Sequence, residues 1–196
     1  IAFSAREPGS LNSDIYVLSL TALGNLQGEE VPEEIAQQAL RRLTDGAVDS
    51  TAPSWADSSH LVYVADARRA GGTVDLNLID LNGNITPVTA DGNALIEDNP
   101  DLSPDGSRVV FEAYAPDNPD DVDVYVAPTT GGQPLLLSDS PRADVRPRWS
   151  PDGRHAVYSS QRSGGGWEIF IVDVTSYVTW QLTVNNLYDM ANQWAP

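Results

Sequence analysis

Short apolar runs recur along this 196-residue chain, each cut off by clusters of Gly, Pro, Asp and Ser. One series is "IAFSA" (1–5), "LVYVA" (61–65), "VVFEA" (109–113) and "AVYSS" (156–160), centred on Phe3, Tyr63, Phe111 and Tyr158, which lie 60, 48 and 47 residues apart. A second follows it at "DIYVLSL" from Asp14, "DLNLIDL" from Asp75, "DVYVAPT" from Asp123 and "EIFIVDV" from Glu168. The third is "RRLT" (41–44), "TPVT" (86–89), "LLLS" (135–138) and "WQLT" (180–183). The fourth is "PSWADSS" from Pro53, "PDLSPDG" from Pro100, "PRWSPDG" from Pro147 and "NQWAP" from Asn192, which places Trp55, Leu102, Trp149 and Trp194 at intervals of 47, 47 and 45. Runs this short, bounded by turn formers, predict strands joined by hairpins. The clearest turn is Ser-Pro-Asp-Gly at 150–153: Pro151 presets φ, Asp152 suits the third position, and Gly153 takes a positive φ at little cost.

Four strands per period, four times over, predict an all-β chain of small antiparallel sheets. Such a sheet cannot bury both faces alone, and a period of this size matches propeller blades fanned about a channel. Segments such as "WEIFIVDV" (167–174) are apolar on both faces, as a sheet between two neighbours requires. The expectation is a single β-propeller domain over 1–196, with repeats at about 1–60, 61–107, 108–154 and 155–196. The tryptophans are expected to wedge between blades.

Tryptophan, Ser-Pro-Asp-Gly, a strand, Asp-Ile-Tyr and Leu-Thr, complete over 145–183, resemble the WD40-like (PD40) propeller repeat of the TolB family. The resemblance covers essentially the whole chain. It implies a propeller that engages protein partners at its channel mouth in an extracytoplasmic setting, periplasmic or secreted. Similar blades accompany prolyl-oligopeptidase-like and tricorn peptidases, so fold alone does not settle function. "WADSSH" (55–60) lacks the Pro and Gly of the turn, and Leu102 replaces a tryptophan. The phase of the repeats predicts that 192–196 supplies the innermost strand beside 1–5, closing a four-bladed ring and removing two sheet edges. Membership of a longer propeller, or of an eight-bladed ring made by two chains, stays open beside it.

One stretch breaks the period. Residues 21–40 lengthen the first repeat, and "PEEIAQQALRRL" (32–43) has Ile35, Ala36, Ala39, Leu40 and Leu43 at helical spacing. Glu33 and Glu34 near its start and Arg41 and Arg42 near its end suit the helix dipole. A surface helix packed on one blade is expected, with a partner-docking element as the alternative.

Charge and chemistry narrow the function. With 28 acidic and 11 basic residues the formal net charge is −17, a field that repels phosphate backbones and anionic membranes. Nucleic acid is not expected as a partner, and no apolar run reaches the length of a membrane span. Zero cysteines remove disulfides and thiol chemistry. His60 and His155 occupy the same place in the repeat, ahead of the second strand, and are read as structural. No nucleophile elbow, zinc helix or phosphate loop is present, and "SGGGWE" (163–168) reads as a hairpin loop, so no catalytic residue is assigned.

Carboxylates remain. Asp117, Asp120, Asp121 and Asp123 crowd the loop "APDNPDDVD", an oxygen-rich stretch that offers a calcium site or a solvated acidic turn; no other cofactor is expected. Glu97, Asp144 and Asp189 each precede the tryptophan position by five residues, with Asp49 near the matching place in the first repeat. They form an acidic ring at the channel mouth or cap their own turns. The favoured reading is a non-enzymatic scaffold that presents an acidic loop face to a protein or peptide. The alternatives are a propeller gating a peptidase domain outside the chain, and a structural subunit of a self-assembled or larger extracellular complex.

Overall fold

The computed structural model describes residues 1–21, 32–55, 57–89, 95–162, 166–185, 187–190 and 194. Four sets of antiparallel strands follow one another along the chain. The first contains β1 (Ala2–Ala5), β2 (Asp14–Leu18) and β3 (Leu40–Arg42). The second contains β4 (Asp49–Trp55), β5 (His60–Asp66), β6 (Val74–Asp80) and β7 (Ile85–Pro87). The third contains β8 (Ile96–Leu102), β9 (Arg108–Tyr114), β10 (Asp123–Pro128) and β11 (Leu135–Leu136). The fourth contains β12 (Asp144–Trp149), β13 (His155–Ser160), β14 (Glu168–Asp173) and β15 (Thr179–Gln181). A single parallel pairing, Val74 with Ile96, joins the second set to the third. The strand expected at 192–196 lies outside the described residues, apart from Trp194.

The sheets stack face to face because alternate residues of each middle strand point to opposite neighbours. On β5, Leu61, Tyr63 and Ala65 pack with Ile15 and Leu43 of the first sheet. The intervening Val62 and Val64 pack with Val109, Phe111 and Ala113 of the third. On β9 the alternation repeats, since Val110 joins Val124 and Leu137 against Trp149, Ala156, Tyr158 and Phe170 of the fourth. Three apolar clusters thus bind first to second, second to third and third to fourth sheet. Burying each Leu, Val or Phe in them contributes about 1.5–3 kcal/mol.

The Ser-Pro-Asp-Gly turns behave as their chemistry requires. Gly153 and Gly106 have φ of 66° and 69°. Their N–H groups donate to the carbonyls of Ser150 (2.9 Å) and Ser103 (2.8 Å). Ser150 Oγ donates to Asp152 (2.5 Å) and accepts from the His155 N–H (3.0 Å), so the motif clips both ends of its own hairpin. Trp149, which precedes the turn, is 5% exposed, and Leu102 at the matching position is 6% exposed. Trp55 departs from the expected wedge: it is 37% exposed and belongs to none of the three clusters.

The helix is shorter than its spacing predicts. α1 covers Glu33–Ala39 and stops where Leu40–Arg42 pair with β2 as β3. Edge pairing wins because it satisfies a row of β2 backbone groups that a longer helix would leave open. Arg41 and Arg42 are consequently strand residues with no role at the helix terminus; Arg42 instead reaches Asp14 at 2.7 Å. No described helix is long and apolar enough to cross a membrane.

Candidate binding face

The second and third sequence series meet in an arrangement that neither reveals alone. Where each third strand begins, a hydroxyl from the end of the fourth strand receives its backbone N–H. Thr44 receives Ile15 (3.0 Å), Thr89 receives Leu76 (2.8 Å), Ser138 receives Val124 (3.1 Å) and Thr183 receives Ile169 (2.8 Å). In three sheets the hydroxyl then donates to a buried carboxylate: Thr44 to Asp14 (2.7 Å), Thr183 to Glu168 (2.7 Å) and Thr89 to Glu97. Asp14, Glu97 and Glu168 are 1–2% exposed, and these bonds offset the cost of removing their charge from water.

The register carboxylates of the innermost strands sit at this same rim, each with partners of its own. Asp49 accepts from the Ser13 N–H (2.7 Å). Glu97 accepts from Thr89 and from the Leu76 N–H (3.1 Å). Asp144 is fully buried and pairs with Arg162 at 2.5 Å, whose guanidinium lies 4.6 Å from the Phe170 ring centre. Asp189 accepts from Asn185 at 2.6 Å. Local bonding therefore occupies all four. Asp49 and Glu97 nevertheless line one cavity of about 160 Å³ between the second and third sheets, together with Asp66, Asp98 and Arg68. A larger, more apolar groove of about 490 Å³ shares Arg68, Val74 and Ile96 with it and continues to Leu95 and Pro116.

The four carboxylates of the 115–123 loop are spread apart. Among the described residues no group of three or more carboxylate or imidazole side chains is placed to hold a metal ion. Asp120 is exposed and lines a different cavity, of about 490 Å³, with Pro141 and Arg142. Asp117 is exposed, and Asp121 accepts from Asn118 at 3.0 Å. Asp123 heads β10 with Oδ1 buried and unbonded. Burial, reinforced by Asp121, Asp144 and Asp139, pushes its carboxyl up to about 7.

Sequence reasoning missed Asp101 and Glu112. Asp101 accepts from Ser54 Oγ (3.3 Å) of the second sheet and the Trp149 N–H (2.7 Å) of the fourth, tying three innermost strands together. Glu112 accepts from the Arg146 N–H at 2.6 Å and from Asn99 at 2.7 Å. Burial raises the pKa of both carboxyls, against the lowering effect of those backbone donors. The Glu112 donors, Arg146 and Asn99, lie in bulges: β4, β8 and β12 each carry one, with Ala52, Asn99 and Arg146 at φ of 49°, 48° and 56°. No sequence signal marked these residues, because the bulge positions hold unrelated side chains.

No family model matches the chain. It is similar to the Tol-Pal system protein TolB of Gluconobacter oxydans, 33% identical over 87 residues, covering 44% of this chain and 18% of that protein. With the Tol-Pal system protein TolB of Rickettsia massiliae it is 26% identical over 142 residues, covering 71% and 31%. The chain thus spans less than a third of the length of these curated relatives. Among solved structures, TolB from Acinetobacter baumannii superposes with a TM-score of 0.70 at 19% identity, over 98% of this chain and 43% of that one. The putative TolB from Agrobacterium tumefaciens gives 0.69 at 21%, over 95% and 59%. The tricorn protease gives 0.59 at 14%, over 78% and 15%. All-β architecture, successive antiparallel sheets and these likenesses together give the chain a TolB-like propeller fold.

Proposed function

We propose that this chain is the binding portion of a non-catalytic, TolB-like propeller, four blades long, working outside the cytoplasm as the resemblance implies. Its loop face takes a protein segment that carries a basic side chain beside an apolar one. The observation that carries this reading is the pairing of two adjoining cavities. Asp49, Asp66, Glu97 and Asp98 make one wall acidic, while Leu95, Ile96 and Pro116 make the next apolar. Arg68 now lies across the acidic part, bonded to Asp66 at 2.6 Å and 3.0 Å, as an incoming arginine would lie. Asp144 and Asp189 extend the carboxylate series around the same rim.

The test is titration of the chain with a library of short peptides combining arginine and leucine. Asp49→Asn together with Asp98→Asn weakens the best binder at least tenfold, and raised salt weakens it further. Saturable binding by no peptide, or binding indifferent to both changes, sinks the reading. Likeness to the tricorn protease supports a second reading, a propeller that gates a peptidase domain lying outside this chain. A partner that is cleaved after binding the longer polypeptide would favour it.

A further inference from the structure

Building on the binding face described under the proposed function, on which this inference rests, we propose that the bound segment continues into a third cavity, where Arg142 receives an acidic side chain. The partner would then read basic, apolar and acidic in that order along one extended stretch. Equivalent positions point to it. Glu97 and Asp144 hold the same register position in β8 and β12, and Val74 and Val122 immediately precede Asp75 and Asp123. Val74, Leu95 and Ile96 line the groove of about 490 Å³ between the second and third sheets. Their counterparts Val122, Arg142 and Ala143 line the cavity of about 490 Å³ between the third and fourth. One site is thus repeated, with arginine standing where its counterpart has leucine, two residues before the register carboxylate.

A single loop separates the two sites. Pro116 lines the first, while Pro119, Asp120 and Val122 line the second. Pro116 and Pro119 are three residues apart, so their Cα atoms lie within about 11 Å of each other, a span that about three or four extended residues of a partner cross. The loop is held by bonds of its own: the Asn118 N–H donates to the Ala115 carbonyl at 2.9 Å, and the Asn118 side chain to Asp121 at 3.0 Å. Charge decides what the far side takes. Arg142 is exposed, and among the described residues its guanidinium forms no ion pair with Asp120 or any other carboxylate, whereas Arg68 and Arg162 are paired with Asp66 and Asp144. An open cation beside Pro119, Pro141 and Ala143 gives an acidic side chain a complement that the carboxylate-lined first cavity denies it.

Fluorescence anisotropy tests this with a labelled peptide in which arginine and leucine are followed, after a short glycine-serine spacer of about three residues, by glutamate. Replacing that glutamate with glutamine should weaken binding to the unaltered chain about two- to fivefold, the size of an exposed ion pair. The same replacement should change nothing with Arg142→Ala, and Arg142→Glu should reverse the preference in favour of lysine at that position. Arg142 is exposed and its backbone meets the Ser140 hydroxyl, so these side-chain changes should leave the circular dichroism spectrum unaltered. Equal binding of the glutamate and glutamine peptides, or a glutamate preference that survives Arg142→Ala, would overturn the third-cavity proposal. If Asp49→Asn with Asp98→Asn still weakened both peptides, the first two cavities would keep their role. Binding of neither peptide would overturn both.

Discussion

Asp123 concentrates the cost of a misplaced charge. It stands at the third-strand position where Asp14 and Glu168 find hydroxyl partners, yet its own Oδ1 is buried and unbonded. Its carboxyl rises from the ordinary 3.8 to about 7. A raised acid binds its proton more tightly in the folded state, so its contribution is fully present below 3.8 and is lost as pH climbs through about 7. Asp123→Asn should therefore raise the melting temperature at pH 8, by about 3 °C for each kcal/mol recovered. The gain should shrink towards zero at pH 4; an equal gain at both values would show that the charge is not responsible. The exposed Asp152 runs the other way: the Ser150 hydroxyl and then the Arg154 N–H hold it low, so its contribution fades only on acidification.

At the scale of the element, the bulged innermost strands matter most. Arg146 adopts φ of 56°, a left-handed conformation that costs an ordinary residue about 1 kcal/mol, while its N–H serves Glu112. Its side chain is exposed. Arg146→Gly keeps the donor and removes the conformational penalty, so chemical denaturation should show a gain of about 0.5–1 kcal/mol. Arg146→Pro removes the donor and forbids the φ, and should destabilise by more than it could gain. The helix gives the complementary lesson. Periodicity predicted a helix over 32–43, of which only Glu33–Ala39 is helical; Leu40–Arg42 were claimed by two patterns, and the hydrogen-bonding demand of β2 decided between them.

For the molecule as a whole, sheets packed in series make stability a sum of neighbouring interfaces. Working against it is a net charge of −17, which favours expansion at low ionic strength. Thermal melts from low to about 150 mM salt, where the screening length falls to about 8 Å, should show the midpoint rising. A falling midpoint would mean that ion pairs such as Arg162 with Asp144 outweigh the overall repulsion.

The order of strands, the hairpin turns and the alternation of buried residues were legible in the chain, because each rests on local periods and on turn residues with fixed dihedral preferences. Pro151, Asp152 and Gly153 could hardly have formed anything else. The acidic composition likewise set a field that opposes polyanions. What only the folded arrangement decided was which carboxylates meet: that Glu97 serves Thr89, that Asp101 spans three strands, and that Asp49 shares a cavity with Glu97. Those pairings join residues from different sheets, and a contact between sheets leaves no periodic trace for a sequence to display.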